Sequence, residues 1–158
     1  MKKRLTKRYL INGLDGLNLS DVIRYCRYYI DDRLRIQQKG DLLEKEILDD
    51  NNFVVKKEKI DKDEFFELRD KAYSKIIRDS YLYLDDKRVS IKRYYEDYEG
   101  LIRVEVTFSS IEEMASYEKE EWMGIDITDS PLAFDKYLSK LDRQQFLEEL
   151  RKYEWDKK

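Results

Sequence analysis

Thirteen residues of this sequence fall on one side of short alternating runs and share a polar character: Arg4, Thr6, Arg8, Arg33, Arg35, Lys56, Glu58, Arg78, Ser80, Lys92, Glu105, Thr107 and Asp126. Seven of them are cations and three are acids, although the whole chain carries 32 basic against 35 acidic residues and a net charge of −3. A solvent-facing set drawn from that background would be more evenly mixed. Cations gathered from several strands need an anion between them, because like charges buried without a partner are costly. A polyphosphate suits them, since its dispersed oxygens match the forked donors of arginine. The acids Glu58, Glu105 and Asp126 have two readings. They offer oxygen ligands of the kind magnesium and manganese prefer, or they neutralise the surrounding cations as buried ion pairs.

What is missing narrows the chemistry further. There is no histidine, which removes histidine triads, histidine general bases and histidine-ligated zinc or iron. The single cysteine, Cys26, permits no intrachain disulfide and no paired-thiol site, and reads as a packing residue of a protein in a reducing cytoplasm. No apolar run is long enough to span a membrane. Met1-Lys2-Lys3-Arg4 is basic but is not followed by the apolar stretch of a secretory signal. Charged residues make up 42% of the chain, yet their near balance argues against a uniformly basic nucleic-acid surface. At 158 residues the expectation is one domain, residues 1–158, large enough for a real core.

The elements that must position these side chains are mostly strands. Gly100 to Phe108 alternates strictly, with Ile102, Val104, Val106 and Phe108 on one face and Leu101, Arg103, Glu105 and Thr107 on the other. Such a strand either covers a core with its charges in water or forms part of a barrel with a polar interior. Further strands are expected over Arg4–Ile11, Val22–Ile30, Arg33–Gln37, Leu42–Leu48, Phe53–Glu58, Arg78–Tyr83, Val89–Tyr94 and Gly124–Thr128, separated by strong turn signals such as Asp49-Asp50-Asn51-Asn52. Asp61 with Glu64, and Ser110 with Glu113, are capping-box patterns. The first opens a helix with a Phe65, Leu68, Ala72, Ile76 stripe, and the second a short helix through Tyr117. Ser130-Pro131 starts a helix to about Leu141, and another follows over 142–154. The fold class is thus α+β and rich in β.

Taken in order, Lys7-Arg8-Tyr9-Leu10-Ile11, Arg33-Leu34-Arg35, Val54-Val55-Lys56-Lys57-Glu58, Glu64-Phe65, Arg78-Asp79-Ser80-Tyr81, Gly100 to Phe108 and Trp122-Met123-Gly124-Ile125-Asp126-Ile127-Thr128 resemble the CYTH domain of the triphosphate tunnel metalloenzyme superfamily. The resemblance covers about residues 4–138. It implies an eight-stranded antiparallel tunnel barrel with helices packed outside, basic residues inside that hold a triphosphate or nucleotide, and glutamates that hold divalent metal. This sequence departs from the family at the metal cage. The opening Glu-x-Glu-x-Lys falls on Arg4, Thr6 and Arg8, and the later Glu-x-Glu on Glu105 and Thr107. A tunnel arginine falls on Ser80, with Arg78 at the lysine place, and an acid is replaced by Lys92.

The resemblance and the residues together lead to a binding module for a phosphorylated anion. Arg4, Arg8, Arg33, Arg35, Lys56, Arg78 and Lys92 form its anion-binding set, with no cofactor required. The alternatives are a triphosphatase using magnesium or manganese on Glu58, Glu105 and Asp126, and a protein-interaction module with a vestigial tunnel. The partners these readings admit are a phosphorylated small molecule, a nucleotide, a nucleic-acid end or another protein, and no membrane.

Overall fold

A computed structural model of the protein describes residues 5–154. Its centre is one eight-stranded sheet, antiparallel throughout: β1 (Thr6–Ile11), β2 (Ile23–Tyr29), β3 (Leu34–Lys39), β4 (Leu42–Leu48), β5 (Val54–Lys59), β6 (Ser74–Leu82), β7 (Val89–Tyr94) and β8 (Ile102–Thr107), in the order β1-β8-β7-β6-β2-β3-β4-β5. The hairpins follow local chemistry. Gly40, at φ +58°, takes the left-handed turn between β3 and β4 that a side chain would resist. At the next turn the Asp49 carboxylate accepts the N–H groups of Asn51 and Phe53 at 2.9 and 3.0 Å, so one acid satisfies two loop amides.

The expected eight-stranded antiparallel tunnel is formed by this strongly curled sheet, in which no ladder joins β1 to β5 among the described residues. The outer edge of β1 is already occupied. Leu10 N–H donates to the Ile125 carbonyl at 2.9 Å, and Ile127 N–H donates to the Arg8 carbonyl at 2.8 Å. The segment Gly124–Thr128, expected as a strand, is held there by the isolated Tyr9–Asp126 bridge. Gly124 permits the approach, since a Cβ on it would lie 2.1 Å from the Leu10 carbonyl oxygen. At the other edge, β5 carries Lys56, Lys57 and Lys59, charges that discourage pairing with a further strand.

Two apolar clusters hold the sheet. Tyr9, Ile91, Val104 and Val106 lie on the outer face of β1, β7 and β8 and pack with Met123, Met114, Tyr117 and Trp122. These come from α2 (Ile111–Ser116) and the chain after it; Ser110 caps α2 by accepting from Glu113 N–H at 3.1 Å. The second cluster fills one end of the inner face. Leu10, Tyr29, Ile76, Tyr94 and Leu101 pack against Leu138, Phe146 and Leu150, from α3 (Asp135–Leu138) and α4 (Arg143–Glu154). Both faces of β8 are therefore interior: Val104 is 0% exposed and Arg103 2%. The reading that leaves its charges in water is overturned.

Two helix boundaries also differ from expectation. α1 (Lys62–Arg69) is capped by Asp61 as its pattern requires, but it ends before Ala72, and Ile76 belongs to β6. The stripe continued past the helix because β6 supplies a buried residue at a coincident spacing. The helix expected from Pro131 to Leu141 is broken into a 3-10 turn (Pro131–Ala133) and α3, with Phe134 extended between them at φ −130°, ψ 130°. That break aims the Phe134 ring and the following Asp135 at the sheet. No helix among the described residues is long and apolar enough to cross a membrane.

Candidate functional site

The polar end of the inner face encloses a cavity of about 220 Å³, lined by Arg8 of β1, Arg27 of β2, Arg35 of β3, Glu46 of β4, Val54 of β5, Arg78 of β6, Arg103 and Glu105 of β8, and by Phe134 and Asp135. Because β1 and β5 are the two edges, their presence in one cavity records how far the sheet curls. The register sets the charges side by side: Arg8 stands opposite Glu105, Lys92 opposite Arg103, and Arg35 opposite Glu46.

Three acids sit among these cations, Glu46 and Asp135 buried and Glu105 with its side chain 15% exposed, each held by arginine. Glu105 Oε1 lies 3.3 Å from Arg8 Nε and 3.8 Å from Arg103 Nη2. Burial alone would raise its carboxyl, but Arg103, Lys92, Arg8 and Arg78 outweigh that and hold it down at about 2. Glu46 Oε1 accepts from Arg35 Nε at 2.9 Å. Asp135 Oδ2 lies 2.9 Å from Arg27 Nη1 and 3.1 Å from Arg78 Nη1, and its Oδ1 accepts from Arg103 Nη2 at 3.2 Å and from the Tyr94 hydroxyl. Burial opposes that charge too, yet Arg78, Arg103 and Arg27 keep the carboxyl well below the usual range.

The cations outnumber the acids. Arg8, Arg27, Arg35, Arg78, Lys92 and Arg103, one from each of six strands, face Glu46, Glu105 and Asp135. Burial pushes the Lys92 ammonium down to about 8, with Arg78, Arg103 and Arg27 acting the same way and only Glu105 opposing. Several donors here have no acceptor: Arg78 Nε, Arg103 Nε and Ser80 Oγ are buried without a hydrogen-bond partner among the described residues. Buried donors are nearly always satisfied, so Arg78 Nε and Arg103 Nε, both on residues that line the cavity, leave hydrogen-bonding capacity unused beside it.

Of the residues expected to hold an anion, Arg8, Arg35, Arg78 and Lys92 come together with Glu105. Others do not. Arg33 lies ahead of β3 with its side chain 63% exposed, paired with Asp50. Lys56 and Glu58 were expected inside but occupy the outer face of β5: Lys56 is exposed, and Glu58 pairs with Lys45, which also reaches Glu64 of α1. The register shift between Ile47 and Leu48 opposite β5 moves that strand by one residue, which reverses its faces. Lys57 turns inward instead, 3.6 Å from Glu46 and 3.8 Å from Glu44. Asp126 is exposed, its carboxylate accepting from Thr128 N–H at 2.8 Å. Arg4 lies outside the described residues. Four charged cavity residues were missed, Arg27, Glu46, Arg103 and Asp135. Arg103 was legible in the alternation of β8, and Arg27 in that of its tyrosine-rich strand. Asp135 carries no sequence signal, because only tertiary packing aims a helical acid into a sheet.

The acid set does not fit a divalent metal. Glu58, Glu105 and Asp126 lie on three different surfaces, and no group of three or more His, Cys, Asp or Glu among the described residues is placed to hold an ion. The acids that do share the cavity are each engaged by guanidinium groups, which leaves no oxygen cage of the kind magnesium requires.

No protein-family model matches the sequence, and no curated protein is similar to it. The architecture does have relatives among solved structures. The crystal structure of the inorganic triphosphatase NE1496 superposes with a TM-score of 0.70 at 18% identity, covering 88% of this chain and 95% of that one. A second crystal structure, described as the hypothetical protein NE1496, gives 0.72 at 17% identity, covering 89% and 99%. At such identities the likeness speaks to fold alone. The chain has the CYTH, or triphosphate tunnel, fold.

Proposed function

We propose that this protein binds a phosphorylated anion, a triphosphate or the phosphate chain of a nucleotide, in the cavity enclosed by the curled sheet, and that it does so without efficient hydrolysis. The observation that carries this is the excess of six cations over three acids, combined with the unsatisfied donors Arg78 Nε and Arg103 Nε. Phosphate oxygens accept from such donors, and their charge relieves the repulsion recorded in the lowered Lys92.

Hydrolysis is the second reading, favoured by the fold shared with the inorganic triphosphatase NE1496. The donor set argues against it, since a metal that neutralises phosphate and orients water needs acids free of arginine. We assign the protein no required cofactor and, from its lone half-buried thiol Cys26, a reducing cytoplasm. The test is direct. Tripolyphosphate at millimolar concentration should raise the melting temperature of the parent, by mass action on the folded state, and far less that of Arg78→Ala. No shift with the parent sinks the binding reading, and phosphate release that requires magnesium or manganese installs the enzyme in its place.

A further inference from the structure

Lys92 stands apart from the arginines it accompanies. Arg8, Arg27, Arg35, Arg78 and Arg103 each contact a carboxylate. The Lys92 side chain makes no hydrogen bond and no ion pair among the described residues. Antiparallel register sets it directly opposite Ser80 of β6 on one side and Arg103 of β8 on the other. The three side chains therefore share a face, with Cβ atoms about 5 Å apart. Ser80 Oγ, Arg103 Nε and, on the diagonal along β6, Arg78 Nε are buried without a hydrogen-bond partner among the described residues. A protonated amine adds further donors to a place that already lacks acceptors. The charged groups around it are Arg78 of β6, Arg103 and Glu105 of β8, and Arg27 of β2. The one acid of that group, Glu105, is itself engaged by Arg8 and Arg103. Lys92 is only half-buried, so a small molecule from solvent can reach it.

We propose that Lys92 is a modification site: its amine adds carbon dioxide reversibly, and the carbamate so formed is the acceptor that Ser80, Arg78 and Arg103 lack. The nitrogen lone pair attacks the carbon of carbon dioxide. An N–C bond forms as one C–O π pair moves onto oxygen, and one amine proton passes to water. Nothing is oxidised or reduced. The product replaces a cation with an anion, so six cations against three acids become five against four. Its two oxygens accept charge-assisted hydrogen bonds from arginine and serine donors. The reaction needs a neutral amine, and the surroundings supply one. Burial, with Arg78, Arg103 and Arg27, brings Lys92 down to about 8, so near that pH about half of the molecules carry the free amine. For an exposed lysine the share is below about one in 100. Desolvation and neighbouring cations are the general means of making a lysine nucleophilic. The inference does not depend on phosphate binding, and a phosphorylated anion in the cavity would compete with the carbamate.

Carbamates revert on dilution and in acid, so the experiment traps them. The intact chain is equilibrated with isotopically labelled bicarbonate as the source of carbon dioxide, alkylated with a trialkyloxonium salt that converts a carbamate to a stable ester, and digested for mass spectrometry. Near the pH of half-protonation, the Lys92 peptide should carry the label about 10-fold or more above the peptide of exposed Lys56. Labelling should rise with pH as the amine loses its proton. Lys92→Arg keeps the charge and should show no adduct. Bicarbonate at constant ionic strength should raise the melting temperature of the parent and leave that of Lys92→Arg unchanged; the parent's own labelling decides if that variant fails to fold. Labelling of Lys92 no higher than that of Lys56 overturns the inference. So does a stabilisation that Lys92→Arg retains, because bicarbonate would then be binding as a simple anion. Trapping at Lys92 in a chain that tripolyphosphate fails to stabilise upholds this inference and removes the anion-binding reading, and the converse result removes this inference alone.

Discussion

Asp135, from a four-residue helix, places Oδ2 3.1 Å from Arg78 Nη1 at the centre of the sheet's inner face. That one carboxylate also contacts Arg27 and Arg103, so the protein carries an internal counter-ion for three of its six clustered cations. The arrangement explains how so much positive charge is tolerated before any ligand arrives. A buried ion pair adds little net stability, but breaking one leaves charges stranded.

Asp135→Asn keeps the shape and removes the charge. Urea unfolding should show a loss of about 3–5 kcal/mol, the usual consequence of removing one partner from a buried ion pair. Tripolyphosphate should then raise the melting temperature of this variant more than that of the parent, because the ligand replaces a missing counter-ion.

Glu105→Gln distinguishes the two readings of that acid by sign. A residue that only balances Arg8 and Arg103 competes with the ligand, so its neutralisation should tighten tripolyphosphate binding measured by calorimetry. A metal ligand would behave in the opposite way. The pH dependence follows from the lowered carboxyl. Its folded value of about 2 lies below the ordinary 4.5, so it stabilises the fold above about 4.5, and that contribution is lost as pH falls toward 2. Acid unfolding of the Gln variant should lack that component.

Lys92 carries the reverse sign. Its ammonium titrates at about 8 in the fold against an ordinary 10.5, so in that window the unfolded chain binds more protons and stability rises with pH. Lys92→Met should be more stable than the parent at pH 7, by about 3 kcal/mol at most, and should bind tripolyphosphate less well. Parent affinity should decline as pH rises through 8 and Lys92 loses its proton. Unfolding and binding curves at pH 7, 8 and 9 check both halves.

Arg35→Ala and Lys56→Ala test the strand faces. Arg35 lies in the cavity, and losing one charge-assisted contact should weaken anion binding about 10- to 150-fold, or about 1.5–3 kcal/mol. Lys56 points away from the cavity with its side chain 61% exposed, and its removal should leave affinity unchanged within about twofold. Equal losses in the two variants would mean that Lys56 also faces the ligand, contrary to its exposed position on β5.

Gly124→Ala probes the seam where the sheet stays open. A methyl 2.1 Å from the Leu10 carbonyl oxygen must push the 124–128 segment off the edge of β1, and we expect a loss of about 3 kcal/mol or more. The same change at Gly13, where no atom lies within 4 Å of the added carbon, should be nearly silent in the same thermal unfolding assay.

Local pattern was enough to read much of this molecule. The alternation of β8, the turn signal at Asp49–Asn52, and the caps at Asp61 and Ser110 act over a few residues, so the sequence alone determined those elements. It also determined that cations gather on one strand face, and Arg8, Arg35, Arg78 and Lys92 meet there. Contacts between distant parts of the chain decided the rest. A register shift opposite β5 reversed Lys56 and Lys57, because a period of two turns any slip into an inversion. Hydrogen bonds between β1 and residues 125 and 127 occupy the outer edge of that strand. The path of the C-terminal helices brought Asp135 to the arginines across a separation of 108 residues from Arg27, a distance over which no spacing rule operates. Which charges exist was written in the sequence, and which of them face one another was settled only when the sheet curled around them.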